Sequence, residues 1–398
     1  VALVVVVDFG AGGTVVAPQD ISFTNGNFQT FTIGGNITGT NGDEIVTLSD
    51  GDGTVGDGTG TITIGGYIGN TTGNTSNIKS VTLTGDTGIS LGGDITTSTA
   101  ATSSVDINGN VTLTSNVTID ADQHSGDNVD FSGTINSDTT ARNLTIKTTG
   151  GAVIIQGAIG ASNALSALDI NTTEDNGGGN TGNITLAAIG TDTAAGAASI
   201  TVGNSTTGTL TLGGVEYFST GTQTYESDDF NLTGADITFQ TSNADVTFQD
   251  GGTGQIVLSD GADLTIDTGS SGGNISIAPT IAGTDAGGVT TSEDIILDAG
   301  TGNIDLLNTG AAVIATDIGD VTLIGTTISL YDNITTTATD SFGNAGIIDI
   351  DGAVVLEDNI TFTTNNASLD FNSTIKSDDT ARNLTITTGS GTVGIGGN

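Results

Sequence analysis

Acidic side chains dominate whatever chemistry this chain can perform. The stretch SDGDGTVGDGTG, residues 49–60, sets Asp50, Asp52 and Asp57 among glycines, and their carboxylates are hard oxygen donors suited to Ca²⁺. The stretch lacks the acid spacing, the mid-loop glycine and the closing glutamate of an EF-hand. It also lacks the glycine-aspartate nonapeptide of calcium-binding rolls. An acidic turn is therefore expected, with Ca²⁺ the one cofactor the residues suggest. Asp228 and Asp229, in ESDDFN, have no histidine or basic residue beside them, and the lone His124, in ADQHSGDN, reads as a solvated turn residue. Catalysis of the lyase type needs a basic side chain close to such acids. The cations are only five: Lys79, Arg142, Lys147, Lys376 and Arg382. Two of them recur inside one phrase, SDTTARNLTI at 137–146 and SDDTARNLTI at 377–386, and are expected to pair with a nearby Asp or cap a corner carbonyl. No catalytic constellation emerges, and the chain is expected not to be an enzyme.

The elements that carry these residues follow from composition. The chain has 398 residues, 35% of them apolar, with 63 Gly, 2 Pro, no Cys, no Met and no Trp. Val, Ile, Thr and Phe favour strands, while Gly, Asn and Asp favour tight turns, so an all-β chain with very many turns is expected. Without cysteine there are neither disulfides nor thiolate metal sites. A net charge of −40 repels nucleic acid and anionic membrane surfaces alike. The opening VALVVVVDFG is too short to span a bilayer and has no basic flank, so no membrane span is expected in this segment.

Short alternating runs recur along the whole chain: TITIG at 61–65, SVTLTG at 80–85, NVTLT at 110–114, NLTIK at 143–147, DITFQ at 236–240 and NISIA at 274–278. Apolar residues stand two apart with Thr or Ser between them, which gives each strand one apolar and one hydroxylated face. The intervals are too short for helical crossovers, and the nearest helix candidate, ASNALSALDI at 161–170, is a poor one. Few aromatics and many small β-branched residues favour stacked coils over hairpins. Asn before a strand, as at Asn110, Asn143, Asn183, Asn274 and Asn383, suits stacked amide ladders at the coil corners. The expected fold is a parallel β-solenoid, a right-handed β-helix with about three short strands per coil. The rival architecture is a string of antiparallel Ig-like domains.

The repeated Arg phrase belongs to a longer duplication. At an offset of about 240 residues, VTLTGDTGISLGGDITT (81–97) meets VTLIGTTISLYDNITT (321–336), and VDFSGTINSDTTARNLTI (129–146) meets LDFNSTIKSDDTARNLTI (369–386). Residues 1–158 recur at about 241–398. The chain therefore reads as one continuous solenoid over 1–398, about 1.7 copies of a ~240-residue unit with arbitrary copy boundaries. With about 25 residues and 4.8 Å per coil, such a stretch would extend roughly 75 Å.

Phrases such as ARNLTIKTTGGAVIIQGAIGASNALSALDI (141–170) and GNITLAAIGT (182–191) resemble repeats of bacterial filamentous haemagglutinin-type adhesins and related giant surface proteins. The resemblance implies a secreted or cell-surface β-helix with a structural or adhesive role. The Asn-Pro motifs of that family's secretion domain have no counterpart, since Pro18 and Pro279 each follow Ala. The expected partners are a further coil, from the continued array or a second subunit, and surface glycans or other cells. A polysaccharide-binding or carbohydrate-active β-helix is the competing functional class.

Overall fold

The computed structural model describes residues 5–7, 13–17, 19–24, 31–40, 42–50, 60–69, 78–98, 104–171, 182–250, 254–284, 293–307, 313–314, 317–336 and 346–396. Among these there is no helix, and every pairing between strands is parallel. The chain divides into two compact units, Val1–Gly208 and Thr209–Asn398. Each is a parallel β-solenoid, and between them they hold about 12 turns.

In the first unit the chain visits three sheets in rotation. One contains Phe31–Ile33, Thr61–Ile64, Gly88–Leu91, Val111–Leu113 and Ile135–Ser137. The second contains Glu44–Ser49, Ile78–Thr84, Ser104–Asn108, Asn128–Phe131 and Val153–Ile155, and the third Ile95–Thr96, Val117–Ser125, Asn143–Thr149 and Ala167–Ile170. Val81, Val105, Val129 and Val153 stand directly over one another at steps of 24 residues. This column explains why the strands look alike: a parallel in-register stack places like side chains in contact at each step, and small branched aliphatics interlock there. Asn143–Thr149 alternates half-buried and buried residues along its length, as its NLTIKTT pattern requires. The second unit repeats the scheme. Asp229–Leu232 pairs with Gln255–Leu258 in one sheet, while Ile237–Thr241 with Leu264–Asp267 and Val246–Asp250 with Ile275–Ile277 are pairs of another.

The parallel ladders exclude the string of Ig-like domains, whose sheets are antiparallel. Residues 161–170 are bends leading into the strand Ala167–Ile170, not a helix. The corners show why glycine is so abundant. Gly85, Gly109, Gly133 and Gly157 occupy one corner in successive coils, and a Cβ on any of the last three would overlap the backbone of the glycine one coil before it. Gly109 additionally adopts φ +130°, a conformation that L side chains rarely reach.

One expectation about the corners needs correction. At Asn110 and Asn274 the side-chain oxygens accept backbone N–H groups from the next coil instead of stacking amide on amide. Thr134 N–H donates to Asn110 Oδ1 at 3.0 Å and Asn303 N–H to Asn274 Oδ1 at 2.9 Å. Asn143 and Asn383 are on the donating side, giving their N–H groups to Asn116 Oδ1 and Asn359 Oδ1. At a corner the chain leaves the ladder, and a short side-chain oxygen replaces the missing carbonyl partner.

Candidate functional site

The duplicated Arg phrase folds twice into one arrangement. In the first unit Arg142 Nε and Nη2 donate to Asp138 Oδ1 and Oδ2 at 3.0 and 2.8 Å, the Thr140 N–H donates to Asp138 Oδ1 at 2.8 Å, and the Arg142 N–H donates to Ser137 Oγ at 3.0 Å. In the second unit Arg382, Asp378, Thr380 and Ser377 make the corresponding four bonds at 3.1, 2.8, 2.8 and 3.3 Å. Arg382 also reaches Asp358 at 3.2 Å. The guanidinium hydrogen bond holds the Asp138 and Asp378 carboxyls below the usual carboxylate range. Both carboxylates are thus engaged by a fixed cation and a backbone turn, an arrangement that shapes a corner and offers no proton to a substrate.

Because Asp138 carries the turn while Arg142 only rests on it, the two substitutions should differ. Arg142→Ala is expected to lower the thermal midpoint only slightly, because a half-buried ion pair that still touches water is largely screened. Asp138→Ala is expected to lower it measurably, as seen by circular dichroism. Equal effects would assign the stability of this corner to the ion pair instead of the turn.

Of the three candidate calcium ligands, Asp50 lies at the end of the strand Glu44–Ser49, while Asp52 and Asp57 lie outside the described residues. Asp50 is only 1% exposed, and its Oδ1 accepts the Asp86 N–H at 2.8 Å. Burial pushes its carboxyl above the ordinary range, and the Asp86 charge adds to the rise. No group of three or more His, Cys, Asp or Glu side chains suited to a metal occurs among the described residues. Asp228 is exposed, Asp229 opens the strand Asp229–Leu232 and is exposed too, and His124 falls in the strand Val117–Ser125.

Two features were not anticipated from the sequence. The first is an acidic column on the second unit. Asp263 Oδ1 accepts the Asp294 N–H at 2.9 Å, Asp294 Oδ1 accepts the Asp320 N–H at 2.7 Å, and Asp320 Oδ1 accepts the Ile347 N–H at 2.8 Å. Asp does here what Asn does at other corners, and burial with the Asp236 and Asp320 charges raises the Asp263 carboxyl. The shared sequence signal is Asn or Asp immediately before a buried apolar strand residue, such as Val111, Leu264, Ile275, Ile295 or Val321.

The second is a buried aromatic cluster. Tyr217, Tyr225, Phe230, Phe239 and Phe248 are all within the core of the second unit, with Tyr217 stacked on Phe239 at 4.9 Å and Tyr225 on Phe248 at 5.1 Å. Gln223, wholly buried, donates through Nε2 to the Tyr217 and Gln240 carbonyls and accepts the Tyr225 hydroxyl through Oε1 at 3.0 Å. Burial raises both phenols above the usual range. The Tyr217 hydroxyl accepts the Gly214 N–H at 3.0 Å, and the rings pack the core of the second unit.

The class of the chain is therefore defined by its fold: a parallel β-solenoid, an architecture compatible with the shaft of a β-helix adhesin. Compared with known proteins, it matches no family model, no curated sequence and no solved structure.

Proposed function

We propose that this chain is part of an extracellular or cell-surface fibre or stalk of the filamentous haemagglutinin type, structural and adhesive in role and without catalysis of its own. The observation that carries this reading is the repetition of coil-to-coil bonding. Aliphatic columns, parallel backbone ladders and corner Asn or Asp bonds recur at each step, so that the same interface can be extended by any coil of like sequence. Exposed acids on the corners would keep such an array soluble and leave its contacts to glycans or other cells to individual surface patches.

Electron microscopy of chains carrying one, two and three joined ~240-residue copies is expected to reveal particles whose length grows in proportion to copy number. A panel of acidic and neutral polysaccharides is expected to remain uncleaved. Round particles of constant width, or steady release of oligosaccharides, would overturn the reading in favour of a globular or carbohydrate-active protein.

A further inference from the structure

The carboxylate of Asp50 carries one of the unpartnered buried oxygens of the first unit. It is 1% exposed, and its Oδ2 is buried with no hydrogen-bond partner, although its Oδ1 receives the Asp86 N–H. Asp86, one coil further on, is itself only 9% exposed. The two acids follow strands that pair Ser49 with Thr84, and the Asp50 N–H is tied to the Thr84 carbonyl at 3.1 Å. On the other side of the same corner, the Thr87 N–H donates to the Gly60 carbonyl at 2.9 Å. Asp50 and Gly60, the residues on either side of 51–59, are thus both anchored to the corner Thr84–Thr87.

Placing two carboxylates in one buried corner is unfavourable unless something opposes their charge. A buried anion loses its hydration, and a like charge nearby adds repulsion. None of the influences on Asp50 is a cationic side chain, and burial together with the Asp86 charge acts against its ionised form. A small doubly charged cation would satisfy both demands. It would neutralise the pair and fill the coordination of Oδ2 with a hard acceptor-bound ion. Ca²⁺ suits such a corner better than Mg²⁺, because it accepts irregular sets of carboxylate and carbonyl oxygens whereas Mg²⁺ demands a near-ideal octahedron.

We propose that Asp50 and Asp86 form a calcium-binding corner that locks two adjacent coils of the first unit together. The site goes beyond the structural role proposed above and stands or falls apart from it, since a globular solenoid would bind the ion equally well. Its membership also differs from the one the sequence suggested: the second carboxylate comes from the neighbouring coil, 36 residues away, and not from the same acidic run.

The test uses the whole chain stripped with EDTA and dialysed, then titrated with calcium chloride while thermal unfolding is followed by circular dichroism. Magnesium chloride at the same ionic strength serves as the comparison. Calcium at about 100 times its dissociation constant is expected to raise the midpoint by roughly 3–6 °C, and magnesium by much less. Asp50→Asn and Asp86→Asn are each expected to abolish the difference, while the exposed pair Asp228→Asn/Asp229→Asn retains it. Equal responses to the two metals, or a calcium response that persists in Asp50→Asn, would reduce the effect to charge screening and overturn the site. Should Asp50→Asn fail to fold, equilibrium dialysis with radioactive calcium decides between wild type and Asp86→Asn. One fewer bound ion in the variant supports the site, and equal numbers overturn it.

Discussion

Replacing Phe239 with alanine is expected to destabilise the second unit by about 3–5 kcal/mol. Phe239 is wholly buried and touches three other rings: Tyr217 at 4.9 Å, Tyr225 at 5.4 Å and Phe248 at 5.0 Å. Truncation removes its apolar burial and leaves a cavity that rigid, interlocked neighbours cannot fill. It also removes edge-to-face and stacked contacts, each contributing about 0.5–1.5 kcal/mol beyond burial. For a unit of this size the loss corresponds to roughly 10 °C in midpoint. Phe239→Leu keeps most of the volume and should cost less than half as much. Urea unfolding followed by tyrosine fluorescence is well placed to measure both, because the chain has no tryptophan and two of its four tyrosines flank the site. If Phe239→Ala changed the urea midpoint no more than Phe239→Leu, the rings could not be packed as described.

The second large effect concerns pH, and its sign is opposite to ordinary acid denaturation. Burial raises the carboxyls of Asp50, Asp130, Asp263 and Glu293, with neighbouring acids adding to each. A group whose folded pKa exceeds its unfolded value favours folding fully below the unfolded value, and that advantage is lost as pH rises through the folded pKa. For these four groups the unfolded values are 3.8 for Asp and 4.5 for Glu, so the loss lies above them, on the approach to neutrality. Asp138 and Asp378 act the other way. Their depressed values stabilise the fold above 3.8, and that contribution disappears as pH falls further. Stability should therefore climb on acidification from neutral pH, peak at roughly pH 4–6, and decline below. Relief of self-repulsion in a chain of net charge −40 works in the same direction. Thermal midpoints recorded from pH 8 to pH 3 at constant ionic strength and low protein concentration would test this. A midpoint that falls steadily from pH 7 to pH 4.5 would contradict it.

Much of the fold is legible in the sequence because one period governs it. TITI, SVTLT, NLTIK and DITFQ each display the two-residue alternation, and each becomes a strand with its aliphatic side inward. The 24-residue step of Val81, Val105, Val129 and Val153 lies close to the expected coil of about 25 residues. The corners are less legible. Their glycines announce turns, but which glycine stands over which depends on corner segments of unequal length, and only the stacked coils settle that. Asp is ambiguous for the same reason: in composition it reads as solvated charge, yet Asp94, Asp263 and Asp320 each accept a backbone N–H from the next coil. The pairing of Asp50 with Asp86 was hidden because the two are distant in sequence and meet only through the register of their strands. The aromatic cluster was hidden by an average. Sixteen aromatics in the whole chain suggest scarcity, although five of them converge between residues 217 and 248.

That convergence has a consequence for how the chain finds its alignment. A polypeptide that repeats residues 1–158 at about 241–398 offers the strands of those stretches two near-equivalent docking targets, and a whole-copy slip would leave most aliphatic contacts intact. Tyr217, Tyr225, Phe230 and Phe239 lie between the duplicated stretches 1–158 and 241–398 and occur once, so no duplicate set can accept Phe239 or Tyr225. They act as a unique address in an otherwise degenerate text, penalising any misthreaded arrangement by the contacts it forfeits.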